Sequence, residues 1–159
     1  MTIELSDSGI QIVATDASTL TDSCWAFERG GGDRVVRFMR GAKMENAEGV
    51  FDQFSAALQF PYYFGENWPA FSECMLDLSW LPASHYLLVI LDAAKVLSGS
   101  DSDLSALVRV MRDCYEKWPL GFDLDQPWAR KAAKFHLILQ TDIAHADALT
   151  LRWAAAERR

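Results

Sequence analysis

Tyr86-Leu87-Leu88-Val89-Ile90-Leu91 is an uninterrupted apolar run. It has the length of a strand and is far short of the ~18 residues a bilayer span needs. A strand that is apolar at every position is buried on both faces. That is the pattern of a parallel sheet held between helices. Downstream, Ser98-Gly99-Ser100-Asp101-Ser102 reads as a loop. Ser102 or Asp101 then caps a helix over Leu104–Trp118, whose core face is Leu104, Leu107, Val108 and Met111 with Cys114 or Tyr115. Pro119 to Trp128 reads as irregular. Phe135–Leu139 is another strand, and Ala144–Ala156 is a closing helix with Ala148, Leu151 and Trp153 available for packing.

Upstream, Asn67 is a good N-cap, and Pro69 is tolerated in a first turn because amides there lack intrahelical partners. This helix runs to Leu78 and stops before Pro82. The aromatic loop Pro61-Tyr62-Tyr63-Phe64-Gly65 precedes it. Before the loop, Val50, Phe51, Phe54, Ala57 and Leu58 recur at helical spacing over Asn46–Leu58. Arg34–Arg40 reads as a strand bounded by Gly41. Gly30-Gly31-Gly32-Asp33 reads as a linker, because the GxxxxGK[ST] pattern of a phosphate loop is missing. Ile3-Glu4-Leu5 and Ile10-Gln11-Ile12-Val13, around Asp7-Ser8-Gly9, predict a short hairpin. The order β-α-α-β-α-β-α predicts an α/β fold: a small, mainly parallel three-stranded sheet packed with helices, plus an N-terminal hairpin and a C-terminal helix.

The chain has 159 residues, which suits one domain, and 50% of them are hydrophobic, a globular balance. The first residues show no basic region followed by an apolar one, so no secretory signal is read. The three cysteines, Cys24, Cys74 and Cys114, have no CxxC spacing and predict reduced, buried thiols in a cytoplasmic protein. The formal charge is −7, unevenly spread. Residues 60–126 carry 4 basic and 10 acidic side chains, whereas residues 127–159 carry 6 basic and 3 acidic. A negative middle repels phosphate backbones and attracts a basic partner, so protein binding is expected and direct nucleic-acid or membrane binding is not.

Catalytic chemistry finds little support. His85, His136 and His145 have no ligand-like grouping, and Asp142 with His145 makes two potential ligands where a metal site needs at least three. No GxSxG is present, and Cys74 and Cys114 lie beside the core stripes of their helices. No enzyme activity, metal or cofactor is expected. The helix after the aromatic loop says more. At about 100° per residue, Trp68, Phe71, Met75 and Leu78 share one face, and Glu66, Glu73 and Asp77 share the opposite one. No lysine or arginine lies three or four residues from those carboxylates to neutralise them. Aromatic side chains beside unpaired carboxylates form a binding anchor: rings supply area and charges supply steering.

The segment from Phe60 to Met75, FPYYFGENWPAFSECM, resembles the signature of the barstar family. There, a loop with paired aromatics and glycine leads into a helix beginning Glu-Asn, followed by apolar positions, an acid and a cysteine. The resemblance spans about residues 34–140, leaving 1–33 as an N-terminal extension and 141–159 as a C-terminal helix. It implies a protein that plugs the active site of a small basic ribonuclease, including a role in toxin immunity. Carried over by position, Tyr63 and Phe64 match the loop aromatics, Gly65 the turn glycine and Asn67 the helix start. Glu66 precedes that start, and Glu73 matches the main acidic contact. Asp113 matches a further acidic contact if the later helix aligns without gaps, and Asp77 is a candidate to supplement them. Two positions depart from the family: Pro69 stands where it has an aspartate, and Ser72 where it has a tryptophan. Those departures keep open a non-inhibitory interaction module of the same fold. A small enzyme would instead require His136 near Cys114 or Asp113 in a pocket. Oligomeric state is not read from the sequence.

Overall fold

The computed structural model describes residues 1–121, 125 and 130–159. Four strands, β1 (Ile10–Ala14), β2 (Arg34–Arg40), β3 (His85–Leu91) and β4 (Lys134–Thr141), form one sheet. Its spatial order is β1-β4-β3-β2, and all three strand pairs are parallel. Five α-helices connect and follow the strands: α1 (Ala17–Arg29), α2 (Ala47–Leu58), α3 (Trp68–Asp77), α4 (Asp101–Lys117) and α5 (Ile143–Glu157).

β3 is central and buried through Tyr86–Ile90. Its alternate residues feed two separate cores. Tyr86, Leu88 and Ile90 join the larger one, with Phe51, Phe54, Phe71, Met75, Leu107, Met111 and Trp153 of helices α2 to α5. Leu87 and Val89 join the smaller one, with Leu20 and Cys24 of α1, Val36 and Ile138. One face therefore carries four helices and the other a single helix, α1, assisted by Ile3 and Leu5. Among the described residues, no helix is long and apolar enough to cross a membrane.

The sheet has four strands where three were expected, and the N-terminal hairpin is absent. The Asp7-Ser8-Gly9 turn does form, with the Gly9 amide donating to the Ser6 carbonyl at 3.2 Å. The strand that follows it, β1, adds to β4 in parallel instead of folding back on residues 3–5. Asp16 is an N-cap, its carboxylate accepting from the Thr19 amide at 2.8 Å, so the chain turns into α1. β1 pairs with β4 over its whole length, Ile10 opposite Leu137 through Ala14 opposite Thr141. Gly9 is required there: its φ is +74°, and an added Cβ would strike the Tyr115 ring.

Smaller differences have local causes. α4 is capped by Ser100, ahead of both expected caps, Asp101 and Ser102, through the Asp103 amide at 3.2 Å. α5 buries Leu149, Trp153 and Ala156, whereas Leu151 is 71% exposed. The spacing i, i+4, i+7 was present in the sequence but obscured by the many alanines of that helix. The irregular stretch expected from Pro119 begins with a 3-10 turn over Trp118–Leu120, and residues 122–124 and 126–129 lie outside the described residues. The outer edge of β2 is not left bare. The Val36 amide donates to Glu28 Oε1 at 3.1 Å and the Arg40 amide to Gln53 Oε1 at 2.9 Å.

Candidate protein-binding site

The site is built on α3 and the turn before it. Asn67 caps the helix: its Oδ1 accepts from the Ala70 amide at 2.9 Å, and its Nδ2 donates back to the Gly65 carbonyl at 3.1 Å. One side chain thus fixes both the helix start and the loop feeding it. Pro69 occupies the first turn at no cost, since its missing N–H has no helical partner there. Phe71, Cys74 and Met75 are buried, and Leu78 closes the helix in the left-handed region at φ 45°. Trp68 is half-buried. It packs on Phe51 at 4.9 Å and donates its indole N–H to Asp103 of α4 at 2.9 Å. With one face locked, the other points to solvent. Glu66 and Glu73 are exposed, and neither forms an ion pair among the described residues. The Cys74 thiol registers the resulting field. Burial raises its pKa most, and Asp77 and Glu73 raise it further.

The loop divides its aromatics between core and solvent. Phe64 turns inward, edge-on to Phe60 at 5.0 Å and to Phe51 at 5.8 Å. Tyr62 and Tyr63 turn outward, 101% and 69% exposed, their rings 5.6 Å apart at 79°. Phe64 is therefore an anchor of the loop and not part of its presented surface. Tyr62 takes the outward place, which the positional match to the family passed over. Glu66 sits at φ 49°, a left-handed backbone that is uncommon for a glutamate, held between Gly65 and the capped start of α3.

Asp77 behaves differently from Glu73. It accepts from the Ser79 amide at 3.3 Å, so its carboxylate serves the turn that ends α3. It also lines a cleft of about 550 Å³ with Asp33, Ser84, Tyr86, Trp118 and Arg130. The Arg130 guanidinium lies over the Trp118 ring at 4.0 Å and feels the Asp77 charge. Asp113 stands on α4, half-buried and paired with Lys117 at 3.5 Å, one helical turn on. Six of the sequence candidates, Tyr63, Gly65, Glu66, Asn67, Glu73 and Asp77, therefore share the α3 unit. Phe64 supports it from within, and Asp113 stands apart on a neighbouring helix.

The arrangement sought for a nucleophilic enzyme does not form. His136 meets His85 across β4 and β3, Nδ1 to Nε2 at 2.8 Å, in place of Cys114 or Asp113. The Cys114 thiol is fully buried, which raises its pKa well above the ordinary range, and it points at the Met75 carbonyl at 3.8 Å. The described residues hold no group of three or more His, Cys, Asp or Glu side chains able to bind a metal ion.

A family model described as Barstar (barnase inhibitor) matches residues 34–140. The chain belongs to the barstar family. The barstar match begins with β2 and ends inside β4, so β1, α1 and α5 lie outside it. No curated protein matches the chain in sequence. Among solved structures, the Aeropyrum pernix ORC2 protein in its ADP form is similar with a TM-score of 0.59 and 14% identity. That alignment covers 96% of this chain and 40% of the ORC2 chain, and at such identity it concerns the fold alone. In this barstar-family chain, the helix N-termini that follow β1 and β4 are already filled by carboxylates. Asp16 accepts from the Thr19 amide at 2.8 Å, and Asp142 from the His145 amide at 3.0 Å. Each cap satisfies one amide of its helix's first turn.

Proposed function

We propose that this protein is an inhibitor that binds a basic ribonuclease and covers its active site with the outer face of α3 and the turn before it. One observation carries the reading: Glu66 and Glu73 stand exposed, without an ion pair among the described residues, beside two outward tyrosines on a frame capped by Asn67. A carboxylate in that setting costs the free protein little and becomes valuable when it meets buried cations in a partner. Membership of a family described as barnase inhibitors supports the same reading. Glu73 is the central contact; Glu66 and Asp77 extend the acidic face on either side of it, and Tyr63 supplies apolar area. Asn67 and Gly65 shape the surface. Asp113, tied to Lys117, contributes at the margin if it contributes at all.

The test is a titration against a purified small basic ribonuclease of the barnase type at low and moderate salt, with RNA cleavage followed in parallel. Sub-micromolar binding that weakens with salt and stops cleavage supports the proposal. Absence of binding at low salt overturns it for this enzyme class. A second reading, a non-inhibitory interaction module, draws on Pro69 and Ser72. They occupy surface-facing positions of α3 where the family resemblance has an aspartate and a tryptophan. On that reading a partner without nuclease activity is recovered, and Glu73→Ala leaves its binding intact.

A further inference from the structure

Resting on the ribonuclease reading, we propose that Tyr62 joins Tyr63 in a two-ring face that receives a cationic side chain, arginine or lysine, from the basic partner. The positional match to the family reached Tyr63 and Phe64 but not Tyr62. The case for Tyr62 comes from how the chain turns. The Phe64 amide donates to the Pro61 carbonyl at 2.9 Å, so Pro61 to Phe64 form a β-turn with Tyr62 and Tyr63 at its centre. Both ends of this turn are fastened. The Phe60 amide donates to Ser55 at the end of α2, at 3.0 Å, and the Phe60 and Phe64 rings meet at 5.0 Å over the core. The central side chains have nowhere to go but outward.

The outcome is an exposed apolar surface with ordered geometry. The two rings lie edge to face at 5.6 Å, and neither hydroxyl has a hydrogen-bond partner among the described residues. Among the described residues, no cation–π contact falls on these rings. The cation–π contacts among the described residues pair Arg34 with Phe27 and Arg130 with Trp118. Glu66 follows the turn directly, and Glu73 lies on the outer face of the helix beyond it. Carboxylates draw a cation toward this end of the molecule, and the negative faces of two phenol rings hold it by contact. Because the turn is fastened at both ends, little side-chain and loop ordering is left to be lost on binding.

The experiment compares wild type with Tyr62→Phe, Tyr62→Leu and Tyr62→Ala by titration against the same basic ribonuclease, with inhibition of RNA cleavage as a second readout. Urea midpoints confirm that each variant folds. Tyr62→Phe keeps the ring face and binds within about threefold of wild type, whereas Tyr62→Leu and Tyr62→Ala each weaken binding by about tenfold or more. Leucine binding as well as tyrosine would reduce the site to plain apolar area and overturn the cation face. An unchanged Tyr62→Ala, in a protein whose binding Glu73→Ala still abolishes, overturns the role of Tyr62 alone. A wild-type chain that does not bind the enzyme overturns the ribonuclease reading and this inference with it.

Discussion

Trp68 and Glu73 sit five residues apart on α3 and answer to different demands. Trp68 is part of the fold: its ring meets Phe51 at 4.9 Å and Phe71 at 5.5 Å, and its N–H reaches Asp103 at 2.9 Å. Trp68→Ala is expected to destabilise the protein by about 3 kcal/mol, from lost contacts and an unpartnered Asp103, read as a lowered urea midpoint. Glu73 is exposed and unpaired among the described residues, so Glu73→Ala should move that midpoint by no more than about 0.5 kcal/mol. The same substitution should weaken ribonuclease binding by about 2–4 kcal/mol, measured by titration. A variant that loses both together would place Glu73 in the fold and not at the interface. The opposite placement of these two residues was legible in the sequence, because a 3.6-residue period separates inner from outer positions without any knowledge of what lies beyond the helix. The split between Phe64 and Tyr62 was not legible. Three consecutive aromatics carry no period, and only the hydrogen bond from Phe64 to Pro61 decides which of them project.

At the scale of elements, the binding face depends on where α3 begins. Asn67 holds Ala70 on one side and Gly65 on the other, so Asn67→Ala releases the cap and the loop together. The expected cost is about 1 kcal/mol of stability, and a Gly substitution at 67 should recover most of it. Loss of binding larger than loss of stability in Asn67→Ala, found by titrating and unfolding the same sample, would mean that the cap also sets the pose of Glu66. Elements with strong local signals were readable: α2, α3 and α4 from their apolar stripes, α3 also from its Asn67 cap, and β3 from its continuous apolar run. The N-terminal segment was misread because Ile10–Val13 fits either kind of strand pairing. What settles the pairing is β4, more than a hundred residues away.

Across the whole molecule, the pairing of β3 with β4 joins two histidines that no local pattern connects. His85 and His136 share a hydrogen bond at 2.8 Å at the start of their strands, with Phe27 edge-on to one ring and Tyr115 to the other. Burial lowers the His85 pKa to about 4, helped by His136, Lys134 and Arg34. Burial lowers His136 as well, with the Ser6 backbone and Asp7 opposing. In the unfolded chain both rings take up protons as pH falls through about 6.5. Between 6.5 and 4 the unfolded state therefore binds more protons than the folded one, and stability declines as pH falls through that window. His85 should account for about 1–2 kcal/mol of this decline, less than the full shift implies because solvent reaches part of the ring. Urea unfolding at pH 7 and pH 4.5 should show the loss in wild type and a smaller one in His85→Gln. Equal slopes would remove the pair as its cause. The α/β class and the chain order of the elements from β2 onward were open to sequence reasoning, since the period of apolar residues tells strand from helix. The fourth strand and the histidine pair were not, because each depends on register between distant segments.

The side chains along the outer edge of β2 bear on how the protein keeps company with its own copies. Glu28 and Gln53 occupy amides that a stray strand would otherwise read as an invitation to join the sheet. Open strand edges that meet their own copies in concentrated solution are where fibres and aggregates begin. With those two amides stoppered, β2 makes a poor seed.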